Sequence, residues 1–78
     1  MMGAGIQLDE DEGAALFKKA AEQGELDAIA ALGVCYLMGK GVPEDEAEGM
    51  ALLRKAAQKG HVPAKEILEE IENANDEQ

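Results

Sequence analysis

Laid against itself at an offset of 36 residues, this chain repeats: Gly3 to Gly24 falls on Gly39 to Gly60 with twelve of 22 positions identical. Four glycine pairs coincide, Gly3/Gly39, Gly5/Gly41, Gly13/Gly49 and Gly24/Gly60, so eight of the nine glycines obey the period. A fixed period of this length marks a repeat array, in which each unit buries its apolar face only against its neighbours. Residues 1–78 hold two such units and make a single small domain. A core this thin is only marginally stable by itself.

Both units carry helix signals, and no strand pattern competes. Asp9 stands three residues before Glu12 and Asp45 three before Glu48, an acidic variant of the capping box that satisfies free amides at a helix start. Acidic residues gather in those first turns, while Lys18, Lys19, Arg54, Lys55 and Lys59 lie towards the far ends, as the helix dipole favours. Gly24 and Gly60 supply the left-handed residue that closes a helix. The next helix follows almost at once in each unit, and so short a link makes neighbours antiparallel. The spacing predicts helices over about 10–23, 26–38, 46–59 and 62–73, with 74–78 a frayed acidic tail. The fold class is therefore expected to be all-α: a short solenoid, an α-α superhelix of antiparallel helix pairs.

The helix faces indicate their neighbours. Leu16, Phe17, Ala20 and Ala21 form one apolar stripe, repeated by Leu52, Leu53, Ala56 and Ala57, so the first and third helices are half-buried. Ala28 to Met38 is apolar all round; eleven residues fall well short of the roughly 20 that span a bilayer, and the segment reads as the central buried helix. The fourth helix sets Ile67, Leu68 and Ile71 against Glu66, Glu69, Glu70 and Glu72, the pattern of a capping element with a polar outer face. The period also lays Met1-Met2 on Leu37-Met38. On that phase the leading stripe of Leu16, Phe17 and Ala20 lacks one of its natural covers, and the edge is expected to take a partner chain or a second copy.

Charge and chemistry narrow the function. With 17 acidic against 7 basic side chains the net charge is -10, which repels phosphate backbones and anionic lipid surfaces. The expected partner is another protein or peptide, or a homo-oligomer through open repeat ends, with no nucleic acid and no membrane. Met1-Met2-Gly3-Ala4-Gly5 has no basic stretch followed by an apolar run, and the lone Cys35 can form no internal bridge; a reducing, cytoplasmic setting is expected. Cys35 and His61 are the only candidate nucleophile and base, and they lie on different elements. Cys35 reads as a small buried hydrophobe and His61 as a solvated turn residue. One His and one Cys do not close a zinc site, and Asp9-Glu10-Asp11-Glu12 lacks the alternating ligands and interior glycine of a calcium loop. No catalytic residue, metal or cofactor is expected. Contact with a partner is assigned to Ile29, Ala30, Val34 and Leu37 on the apolar helix, of which at best half face a ligand, and to Leu16 and Phe17 at the open edge.

The run Leu32-Gly33-Val34-Cys35-Tyr36-Leu37-Met38-Gly39-Lys40-Gly41-Val42-Pro43-Glu44-Asp45 resembles the pattern L-G-x-x-Y-x-x-G-x-G-V-x-x-D of the Sel1-like repeat family. Lys55-Ala56-Ala57-Gln58-Lys59-Gly60, echoed by Lys19-Ala20-Ala21-Glu22-Gln23-Gly24, is similar to the K-A-A-x-x-G that closes each such repeat. The resemblance covers about residues 3 to 68. It implies a solenoid related to the tetratricopeptide repeats, an inner surface that binds other proteins, and an adaptor role. The motif positions here are Leu32, Gly33, Tyr36, Gly39, Gly41, Asp45, Ala56, Ala57 and Gly60. Physical reasons stand beside them: Gly33 admits a close neighbour, Gly39 and Gly41 allow the bend between helices, and Tyr36 buries its ring while keeping its hydroxyl near polar atoms. Where the family favours Lys-Ala, this chain has Glu12-Gly13 and Glu48-Gly49, and each mid-helix glycine costs about 1 kcal/mol relative to alanine. A cysteine-rich branch of these repeats linked to β-lactam hydrolysis is similar in helical pattern, but it staples its pairs with recurrent cysteines and the single Cys35 argues against it. High internal identity also fits an engineered or truncated repeat fragment that self-associates; the two mid-helix glycines weigh against an idealised design.

Overall fold

A computed structural model describes residues 9–76. Met1-Met2, Gly3 and Gly5, on which part of the repeat phase rests, lie outside the described residues, as do Glu77 and Gln78. Four helices and, among the described residues, no strand make up the fold: α1 (Glu10–Glu22), α2 (Leu26–Met38), α3 (Glu46–Gln58) and α4 (Val62–Asp76). The caps are those the aspartates suggested. Asp9 Oδ1 accepts from the Glu12 amide at 2.9 Å, and Asp45 Oδ1 accepts from the Glu48 amide at 3.1 Å. Each bond satisfies one amide that the first helical turn would otherwise leave without a partner. The expected frayed segment does not begin at 74, because no glycine or proline follows Pro63 to stop the helix and α4 continues through Asp76.

α2 is enclosed by α1 on one side and α3 on the other, and α4 covers the far side of α3. Ile29 and Ala30 of α2, Leu53 and Ala56 of α3, and Ala64 and Leu68 of α4 form the buried core, with Leu53, Ala56 and Ala64 fully shielded. At roughly 1.5–3 kcal/mol for each large aliphatic side chain removed from water, these few contacts supply much of the driving force. Small residues let the helices approach closely. At the α2–α3 crossing, a Cβ on Gly49 would stand 2.7 Å from the Gly33 carbonyl oxygen and 2.8 Å from Leu37 Cγ. The mid-helix glycine that costs helix propensity is thus the seat of the tightest helix pair.

The 39–45 loop returns the chain from α2 to α3 and rests on α1. Gly39 ends α2 in the left-handed region, its amide donating to the Cys35 carbonyl, and the Asp45 amide donates to the Tyr36 carbonyl at 2.9 Å. Gly41, at φ +79°, lies directly over the Glu10 carbonyl and Ala14 Cβ in the first turns of α1. The loop therefore locks the start of α1 to the end of α2, which orients the outer face of α1.

Candidate binding surface

Two independent observations set α1 apart. Its outer face carries Leu16 at 54% and Phe17 at 39% exposure, whereas their counterparts one period later, Leu52 and Leu53, are half-buried and buried. Gly13, counterpart of Gly49, has nothing within 4 Å of where its Cβ would stand. The face that α2 covers on α3 is uncovered on α1 among the described residues. Two shallow depressions flank Leu16. One, of about 440 Å³, runs between Leu16, Phe17 and Ala20 of α1 and Ala28 and Ala31 of α2, with Glu25 and Asp27 at its rim. The other, of about 390 Å³, is lined by Glu12, Ala15, Leu16 and Lys19.

The other residues expected to touch a partner lie deeper. Ile29 and Ala30 are core residues at 2% and 6% exposure, the half of the four that packs inward. α2 is walled by α1 and α3, and most of the surface of these two side chains is used in packing. Val34 and Leu37 are half-buried against the same core, and Leu37 closes over Gly49. The motif residues serve the scaffold: Leu32 and Gly33 are buried, Ala56 is fully buried and Ala57 half-buried, Asp45 caps α3, and Gly60 adopts φ +99° just beyond α3. Tyr36 is half-buried in a third depression of about 220 Å³ between α1 and α3, bordered by Lys18, Glu22, Glu48 and Lys55.

His61 has a role that its neighbours in sequence did not reveal. It occupies the position just before α4, and its Nδ1 accepts from the Ala64 amide at 3.1 Å, capping that helix. With Nδ1 accepting, the ring proton sits on Nε2, which donates to Asp27 Oδ1 in the first turn of α2 at 2.6 Å. The imidazole side chain is only 11% exposed, so it is a bridge between the starts of α2 and α4 and not a free turn residue. The partner is 34 residues away, and no local pattern announces it. Replacing His61 by Ala is expected to cost about 1 kcal/mol through the lost cap. His61→Asn, which keeps a capping oxygen but does not reach Asp27, should recover most of that loss. Thermal melts of the two variants check this, and equal melting points would show that the cap contributes nothing.

Burial pushes the Cys35 thiol above its ordinary range; Lys40 pulls it partly back and Glu10 adds to the rise. A thiol held protonated at neutral pH is a weak nucleophile. Among the described residues no cluster of three or more His, Cys, Asp or Glu side chains is placed to hold a metal ion, and no helix is long and apolar enough to cross a membrane.

The Sel1 repeat profile matches residues 1–25 and 26–61. No curated protein matches the chain. Among solved structures, a Sel1 repeat protein from Oxalobacter formigenes superposes with a TM-score of 0.80 at 40% identity, over 88% of this chain and 20% of that one. The chain thus spans about a fifth of the length of that relative. The paired helices, the glycine crossing and the profile matches over both units agree, and the chain belongs to the Sel1 repeat family, whose helical modules typically mediate contacts between proteins.

Proposed function

We propose that this chain is a protein–protein interaction module of the adaptor or scaffold type, acting by contact alone and without catalysis, in the cytoplasm. The observation that supports this most directly is the outer face of α1. Leu16 and Phe17 stand exposed beside an apolar depression, whereas the equivalent residues of α3 are half-buried and buried. Apolar surface of that kind, rimmed by Glu12, Lys19, Glu25 and Asp27, suits a helix laid into a groove. Ala28 and Ala31 of α2 line the floor, and Leu16 and Phe17 make the contact. The net charge of -10 favours a peptide partner with basic flanks over nucleic acid or an anionic membrane. Display selection of helical peptides on the dilute chain tests the reading. Enriched peptides should lose at least tenfold in affinity on Leu16→Glu or Phe17→Glu, with helix content unchanged by circular dichroism. Selection that yields no binder, or binders indifferent to both changes, would overturn it.

A further inference from the structure

We draw no further inference here: the strongest candidate, the uncovered face of α1 that carries Gly13, Leu16, Phe17 and Ala20, belongs to the binding surface already described, and nothing in the structure shows which chain covers it.

Discussion

Gly41→Ala is expected to unfold a large part of the molecule at ambient temperature. At φ +79° an L side chain occupies the left-handed region at a cost of about 1–2 kcal/mol. The new methyl would also run into the Glu10 backbone carbonyl and stand 2.8 Å from Ala14 Cβ. Neither is the end of a flexible chain that can swing aside, so the 39–45 loop must lift or α1 must move, at about 1–3 kcal/mol more. A domain of this size has only about 5 kcal/mol or a little more to lose. The melting temperature should therefore fall by roughly 20 °C, at about 4–8 °C for each kcal/mol in a domain of under a hundred residues. Lys40→Ala, one residue away and exposed, should change it by no more than a few degrees. If both variants melt like the parent chain, the loop does not rest on α1 as described.

How far the sequence reached depends on whether the signal was local. Asp9, Asp45, Gly24 and Gly60 mark helix ends through bonds and backbone angles confined to a few neighbouring residues, and they lie where those rules put them. The 36-residue period carries the rest of the architecture, because equivalent residues must occupy equivalent layers. Leu16 and Phe17 were legible as an uncovered stripe for the same reason. Ile29 and Ala30 were not assignable from pattern alone: a helix apolar on every side has no polar face to say which residues look outward. The His61–Asp27 bridge joins groups from successive repeats, and nothing in the residues around either one anticipates the other. Gly49 was legible only as a cost, since its benefit depends on where α2 crosses.

That last residue yields a second sharp expectation: the same substitution at equivalent positions of the two repeats should have opposite signs. Gly49→Ala gains about 1 kcal/mol of helix propensity but drives a methyl to 2.7 Å from the Gly33 carbonyl oxygen and 2.8 Å from Leu37 Cγ. Leu37 has some freedom to adjust; the Gly33 oxygen belongs to the backbone and moves only if α2 moves. Overpacking at the upper end of the usual range, about 3 kcal/mol, leaves a net loss near 2 kcal/mol and a melting point lower by about 10 °C. Gly13→Ala has no such obstacle, with nothing within 4 Å of its added methyl. It should keep the whole propensity gain and raise the melting point by about 5 °C. Thermal melts at dilute protein isolate the two effects. The variants sit on different helices with α2 between them, so in the double variant the shifts should sum to within about 0.5 kcal/mol. A loss at Gly13 comparable to that at Gly49 would mean that something in the same chain already fills the seat on α1, and the case for an open docking face would go with it.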